Sequence, residues 1–177
     1  MPGHEARIGI RGPQVDGWTC ETQAVLAHNR IEVMHGVNLD QLGRRDPGHY
    51  GGLTYDQLEQ RIGEQAQAAG LQARFFQTNH EGEFVEHLHR LESLADGLIV
   101  NPGAWTHYSW AIRDALEIAA LPAVEVHLSD VSAREEFRRV SVVSDLCLTT
   151  VSGQGPEGYA VALQRLREEL ERRGTPA

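Results

Sequence analysis

A glycine-rich loop at residues 43–52, GRRDPGHYGG, places two arginines within a few positions of a tyrosine. Its glycines and proline predict a loop rather than a helix or strand. A guanidinium stays charged at physiological pH, and one that lies near a phenol favours the phenolate form. An ordinary linker has no need of this combination, so Arg44, Arg45 and Tyr50 indicate a loop with a chemical role.

Polar side chains also follow each short apolar run of the chain. Taken singly, such residues often cap helices or form turns, and Asn101-Pro102-Gly103 suits a turn. Arg134 and Arg138 are likewise compatible with a surface ion-pair cluster. Together, however, these residues predict a cleft for a small anionic, hydroxylated substrate. They are Asn38 after the first run, Asn79 and His80 after the second, Asn101, Thr106 and His107 after the third, and His127 and Ser129 after the fourth.

The elements that must position these residues alternate between strand and helix. Helical periodicity predicts helices between the apolar runs, the first with a capping box at Thr54 and Gln57. This alternation predicts an α/β fold with helices on both faces of a parallel sheet. Five strands suit the flavodoxin-like three-layer fold with order 2-1-3-4-5, in which ligands bind at the carboxyl ends of the strands. The strands are predicted at residues 30–35, 71–77, 97–100, 122–127 and 145–151.

Composition limits the partners and the compartment. A formal net charge of -9 over 177 residues argues against nucleic acid or an anionic membrane as a partner. The chain has no apolar run of membrane-spanning length and no secretory signal, and Cys20 and Cys147 do not make a disulfide framework. We therefore expect a cytoplasmic protein. Residues 1–29 show no clear period and are interpreted as an N-terminal extension, partly ordered at best, before a catalytic domain at 30–177.

Three other kinds of site find less support. A flavin or nucleotide site needs a phosphate cradle directly after the first strand, and residues 35–40, HGVNLD, do not supply one. A serine hydrolase needs a G-x-S-x-G turn, which is absent from the sequence. A metal site made of His80, His107 and His127 stays open as an alternative, although no neighbouring carboxylate fixes a ligand geometry. His87 and His89 fall on a predicted helix and are interpreted as solvated or interfacial.

Over residues 31–170 the chain resembles the type II 3-dehydroquinate dehydratases. Four blocks carry the resemblance in the family's order: HGVNLDQLGRRDPGHYG, FFQTNHEGEF, VNPGAWTHYSWAIRDAL and VEVHLSDVSAREEFRRVS. The resemblance implies a flavodoxin-like fold and loss of water from 3-dehydroquinate through an enolate, in the shikimate route or in quinate breakdown. It further implies that no metal, Schiff base or other cofactor takes part, and that trimers assemble into a homododecamer.

The resemblance also assigns roles to residues of this chain. Tyr50 is implied as the general base with Arg45 beside it, and Asn38 as the residue that positions a water at the enolate oxygen. His127 is implied as the general acid, oriented by Glu125. Arg44 receives no role. The residues implied in substrate binding are Asn101, His107, Leu128, Ser129, Arg134 and Arg138, with Asp114 reaching into the site of a neighbouring subunit.

The chain departs from the family pattern near these residues. His35, Val37 and Asp40 replace the usual asparagine, proline and asparagine around Asn38, and Trp105 and Asp130 are further changes. Every residue with an implied chemical role is retained. The departures leave two alternatives open: a non-catalytic flavodoxin-like binding or assembly paralogue, and a dehydratase of a related cyclic hydroxy-ketone acid.

Overall fold

The computed structural model describes residues 28–45, 52–133 and 135–174. Tyr50, Arg134 and Cys20 lie outside the described residues, as does most of the predicted extension. The described chain forms a five-stranded, all-parallel sheet with the order β2-β1-β3-β4-β5, which confirms the predicted fold class. The strands are β1 (Arg30–His35), β2 (Gln72–Gln77), β3 (Gly97–Asn101), β4 (Ala123–His127) and β5 (Thr149–Ser152).

The fifth strand is shorter than predicted, because it begins at Thr149 and not at Asp145. The preceding residues form a short 3-10 helix, Ser144–Leu146. Arg113 explains the difference, since its guanidinium donates to Asp145 at 2.8 Å and also to the Val142 carbonyl. These bonds turn the backbone before it can reach the edge of the sheet.

Over the residues that the structure describes, five α-helices cover the two faces of the sheet. The predicted capping box is confirmed, since the Thr54 hydroxyl accepts from the Gln57 N–H and the Gln57 side chain accepts from the Thr54 N–H. The predicted second helix is divided in two by a turn at residues 89–90. The helices are α1 (Tyr55–Ala68), α2 (Glu81–Leu88), α3 (Leu91–Leu94), α4 (Trp110–Ala119) and α5 (Glu157–Gly174).

Alternate residues of β1 supply the two halves of the core. Ile31 and Val33 pack with α1 and α5 on one face, and Met34 packs with α2 and α4 on the other. Each fully buried aliphatic side chain stabilises the fold by about 1.5–3 kcal/mol relative to leaving it exposed. No helix in the described part of the chain has the length and apolar character needed to cross a membrane.

The solvated alternative for His87 is wrong. His87 is not solvated: its Nε2 lies 2.7 Å from the Oε1 of buried Glu32, and its ring stacks on Phe76 with 3.9 Å between centroids. The reason is helical spacing, because His87 shares the sheet-facing side of α2 with Phe84 and Leu88. A buried carboxylate needs a polar partner, and His87 provides it.

Two glycines bring the loops after β1 and β3 into backbone contact. A Cβ atom on Gly36 would lie 2.2 Å from the Pro102 carbonyl oxygen, and one on Gly103 would lie 2.6 Å from the Val37 carbonyl oxygen. The Gly36 N–H donates to the Asn101 carbonyl at 2.8 Å. This close approach sets the distance between the residues that follow the two strands.

Candidate active site

A pocket opens at the carboxyl ends of β1, β3 and β4, where this fold places its ligands. It is a concave cleft, partly open to solvent, of the kind in which small molecules bind. The pocket is lined by Val37, Asn38, Leu39, Arg45, Asn101, Gly103, Ala104, His107, His127, Leu128, Ser129, Val131 and Arg138.

Most of the residues implied for the site therefore lie around one cavity. Glu125 does not line it but lies beneath His127, and Asp114 lies on α4 outside the pocket. Tyr50 and Arg134 lie outside the described residues. Arg44 is exposed and donates to Gln41 at 3.3 Å, which agrees with its having no assigned role.

The Asn38 side of the pocket is held by a network of amides. Asn38 has φ 66°, in the left-handed region that asparagine tolerates better than most residues. Its backbone N–H donates to the Asn79 side-chain oxygen at 2.7 Å, and the Asn79 amide donates to Asp40 at 3.1 Å. The polar residue after the second strand thus supports the loop and does not line the pocket.

Asn101 ends β3 with its side-chain amide fixed in orientation. Its Oδ1 accepts from the Gly103 N–H at 3.2 Å, and its Nδ2 donates to the Tyr159 hydroxyl at 3.3 Å. The residue is only 4% exposed. An amide nitrogen carries two protons, so Asn101 keeps one N–H beyond the Tyr159 bond.

A buried glutamate and a histidine form a hydrogen-bonded pair at the site. The Nε2 of His127 lies 2.9 Å from Glu125 Oε1, and both residues point to the same side of β4 because they are two positions apart. Glu125 also accepts from the hydroxyls of Thr106, Ser141 and Thr150, the last two at 2.9–3.0 Å and 3.0 Å. This is an unusually complete set of donors for one carboxylate.

The donors around Glu125 decide its charge. Burial alone would raise the pKa of the Glu125 carboxyl, but the bond from His127 and the surrounding hydroxyls outweigh that effect and hold the pKa below its usual value. Glu125 is therefore ionised at neutral pH. A carboxylate at this distance accepts from His127 and so holds Nε2 as the donor, which leaves Nδ1 for other contacts.

His107 lies on the neighbouring loop in a different setting. Its Nδ1 lies 2.7 Å from the Val140 carbonyl, so this nitrogen carries a proton and the neutral ring keeps Nε2 as an acceptor. Partial burial lowers the pKa of His107, and the nearby His127 and Arg138 lower it further, while the Val140 carbonyl opposes the change. A neutral His107 suits a hydrogen bond with a substrate hydroxyl.

Two guanidinium groups stand at the pocket. Arg45 follows the 3-10 helix Leu39–Arg44, and its N–H donates to the Leu42 carbonyl at 3.0 Å. Arg138 lies over the Phe137 ring at 4.9 Å and pairs with Glu135 at 3.1 Å. Permanent positive charge beside neutral donors suits a carboxylate ligand.

The structure does not unite the three histidines of the metal alternative. His107 and His127 line the pocket, whereas His80 is exposed at the start of α2. Among the described residues, no group of three or more histidine, cysteine, aspartate or glutamate side chains is placed to hold a metal ion.

Sequence reasoning missed the supports of the site. Ser141 ends the fourth block of the resemblance without an assigned role, Thr150 lies in none of the blocks, and only the position of the buried Glu125 gives them a role. His35 and Tyr159 lie beneath Asn101, and only His35 had a signal, as a departure from the family pattern. A buried carboxylate needs hydrogen-bond donors, so a search for the partners of Glu125 would have pointed to serines and threonines near the strand ends.

Known proteins are similar to this chain in sequence and in fold. A family model described as Dehydroquinase class II matches residues 29–167. A 3-dehydroquinate dehydratase of Thermotoga neapolitana is 50% identical over 139 residues, covering 78% of this chain and 94% of that protein. The type II dehydroquinase structure from Propionibacterium acnes has a TM-score of 0.75 and 40% identity, covering 80% of this chain and 99% of that one.

A second solved structure gives the same result. The type II dehydroquinase from Butyrivibrio crossotus has a TM-score of 0.76 and 39% identity, covering 79% of this chain and 98% of that one. The family model spans most of the chain, including the strand ends that form the pocket. The chain therefore belongs to the dehydroquinase class II family and is an enzyme.

Proposed function

We propose that this enzyme removes water from 3-dehydroquinate to give 3-dehydroshikimate through an enolate. The observation that carries the proposal is the buried Glu125–His127 pair, which opens onto a pocket with two guanidinium groups. An acid poised beside permanent positive charge fits the elimination of a hydroxyl from a carboxylate-bearing ring. The names of the relatives agree with this reaction.

The base half of the proposal rests on Tyr50 and Arg45. A free tyrosine has a pKa near 10, so a phenolate that works near neutral pH needs stabilisation by about three pKa units, roughly 4 kcal/mol. The Arg45 guanidinium at the pocket supplies a positive charge that does not titrate away. In this role the Tyr50 phenolate takes the proton alpha to the ketone, and the electron pair of the broken C–H bond forms the enolate.

The acid half completes the elimination. A water positioned by Asn38 stabilises the charge on the enolate oxygen. His127, oriented by Glu125, gives a proton to the departing hydroxyl. The C–O bond then breaks, water leaves, and the enolate electrons form the new carbon–carbon double bond. Neither step uses a metal or an organic cofactor.

Substrate binding is proposed for the remaining residues of the site. Their chemistry divides between hydroxyl recognition by neutral groups and carboxylate recognition by guanidinium and backbone groups. The lining of the pocket supports this division, since neutral His107 and Asn101 share it with charged Arg138. The proposed set is Asn101, His107, Leu128, Ser129 and Arg138, with Arg134 supporting it from outside the described residues.

We further propose that trimers of this chain pack into a homododecamer, with Asp114 entering a neighbouring site. Asp114 lies on α4 between Trp110 and Ile118, which are 65% and 68% exposed. Large apolar side chains one turn on either side of a carboxylate suit a protein contact better than water. Light scattering should give the mass of twelve 19.6 kDa chains, and a monomer would contradict the proposal.

The test of the reaction is turnover of 3-dehydroquinate. The product is a conjugated enone carboxylate with its own ultraviolet absorbance, and its rate of appearance should be unchanged by a metal chelator or by borohydride. Binding without product would favour the non-catalytic paralogue instead. Turnover of a related hydroxy-ketone acid in place of 3-dehydroquinate would identify the other alternative.

The cytoplasm is the proposed location.

A further inference from the structure

A buried imidazole lies beneath the pocket and has no part in the proposed reaction. His35, the last residue of β1, is fully buried between two tyrosines. Its Nδ1 lies 3.1 Å from the Tyr55 hydroxyl and its Nε2 lies 2.8 Å from the Tyr159 hydroxyl. Both rings stand nearly perpendicular to the imidazole, at 81° and 78°.

The directions of these hydrogen bonds follow from Asn101. Its Oδ1 accepts from the Gly103 N–H, so its Nδ2 is the atom that donates to the Tyr159 hydroxyl. The single proton of the buried Tyr159 hydroxyl needs an acceptor, and of its two hydrogen-bond partners only His35 Nε2 can accept it, so Tyr159 donates to Nε2. Nε2 must then be unprotonated.

The hydrogen bonds continue on the side of His35 away from the pocket. A neutral imidazole with a bare Nε2 carries its proton on Nδ1, which donates to the Tyr55 hydroxyl. The result is a continuous chain of hydrogen bonds from Asn101 through Tyr159 and His35 to Tyr55.

Burial keeps the imidazole in the state that the chain of hydrogen bonds requires. Burial lowers the pKa of His35 to about 3, so the ring is neutral at working pH. A second proton, on Nε2, would face the Tyr159 hydroxyl proton. Losing the acceptor at Nε2 would free that hydroxyl to donate to the Asn101 oxygen, which competes with the observed orientation of the amide.

We propose that His35 is a positioning residue, which holds the Tyr159 hydroxyl as an acceptor and thereby fixes the Asn101 amide with one N–H free for substrate. This inference rests on the proposed function, in which Asn101 binds a substrate hydroxyl. Because His35 acts through Tyr159, the two side chains form one unit with respect to substrate binding.

The kinetic test compares variants that remove the hydrogen-bond acceptor at position 35 with one that keeps it. His35→Leu and Tyr159→Phe should each raise KM for 3-dehydroquinate about tenfold, as expected for one lost hydrogen bond to substrate, with a smaller change in kcat. The double variant should be no worse than either single variant. His35→Gln, whose side-chain oxygen can replace Nε2 as acceptor, should restore KM to within about threefold of the wild-type value.

A matched control comes from the other buried histidine. His87 is hydrogen-bonded to buried Glu32 and does not line the pocket. His87→Gln should lower stability and leave KM unchanged. Equal KM values for the wild type, His35→Leu and Tyr159→Phe would overturn the inference. A folded wild type that makes no product would instead contradict the proposed function.

¹⁵N NMR tests the inference without measuring turnover, so it does not require any variant to be active. Solid-state ¹⁵N spectra of protein labelled in its histidine rings should contain a neutral ring with protonated Nδ1 and bare Nε2 down to about pH 5, well below the ordinary histidine pKa. The His35 signal is the one missing from His35→Gln. A protonated Nε2 on His35 in that range would overturn the proposal, whether or not the other variants fold.

Discussion

His35 and His127 end two strands of the same sheet, and both are buried, yet their partners give them opposite properties. His127 Nε2 lies 2.9 Å from Glu125, whose carboxyl pKa is held below its usual value. His35 lies between two phenols and burial lowers its pKa to about 3. The two strand-end imidazoles therefore differ in their partners: His127, the proposed proton donor, contacts a carboxylate, whereas His35 contacts neutral hydroxyls and burial keeps it neutral.

The largest difference between the two histidines should be in turnover. His127→Gln should lower kcat for 3-dehydroquinate by about 10²–10⁴, the usual contribution of a general acid. His35→Gln should change kcat by only a few fold because His35 moves no proton in the reaction. Steady-state kinetics of the two variants measures this, and similar losses of kcat in both would remove the distinction.

Removing the charge of the partner should weaken the acid without removing the imidazole. Glu125→Gln keeps the shape of the side chain but leaves His127 beside a neutral amide, so the protonated ring loses its stabilising charge. We expect kcat to fall by about tenfold to a hundredfold, less than for His127→Gln. Thr150→Val, which removes a single hydroxyl from Glu125, is the control and should change kcat far less. An unchanged kcat in Glu125→Gln would show that charge does not set the role of His127.

The smallest effect should be on stability at acid pH. Unfolded His35 takes a proton below its ordinary pKa of 6.5, whereas the folded residue does so only near pH 3. Stability therefore falls as pH is lowered from 6.5 towards 3, by roughly 1.4 kcal/mol per pH unit at most, and this residue contributes no slope above pH 6.5.

Urea unfolding at fixed protein concentration measures that slope. The difference in unfolding free energy between wild type and His35→Gln should be constant well above pH 6.5 and shift against the wild type by up to roughly 2 kcal/mol at about pH 5. His87→Gln serves as the comparison for loss of a different buried imidazole. A difference that does not depend on pH would mean that folding leaves the pKa of His35 unchanged, which contradicts a neutral buried ring.

The order of strands and the position of the pocket are predictable from the sequence because both follow from local patterns. Apolar runs that end in an amide or imidazole are enough to identify Asn101 and His127 as residues of the pocket. The support of those residues is not predictable, since Tyr159 comes from the last helix and Thr150 from the edge strand. Side chains that are far apart in the sequence and meet only in the folded protein produce no recognisable spacing pattern.

The errors of prediction have the same cause. Residues near Asp145 have the composition of a strand, but the guanidinium of Arg113 binds them into a turn. His87 falls among polar residues, but the buried charge of Glu32 selects it as a partner. In both cases a long-range polar contact outweighs the local preference of the segment.

The central claim is that this pocket dehydrates 3-dehydroquinate with Tyr50 as its base. The most direct test measures product absorbance for the wild type and Tyr50→Phe side by side, together with substrate binding to each by calorimetry. We expect turnover by the wild type, and binding without turnover by Tyr50→Phe. Equal turnover by both proteins, or none by a well-folded wild type, would contradict the claim.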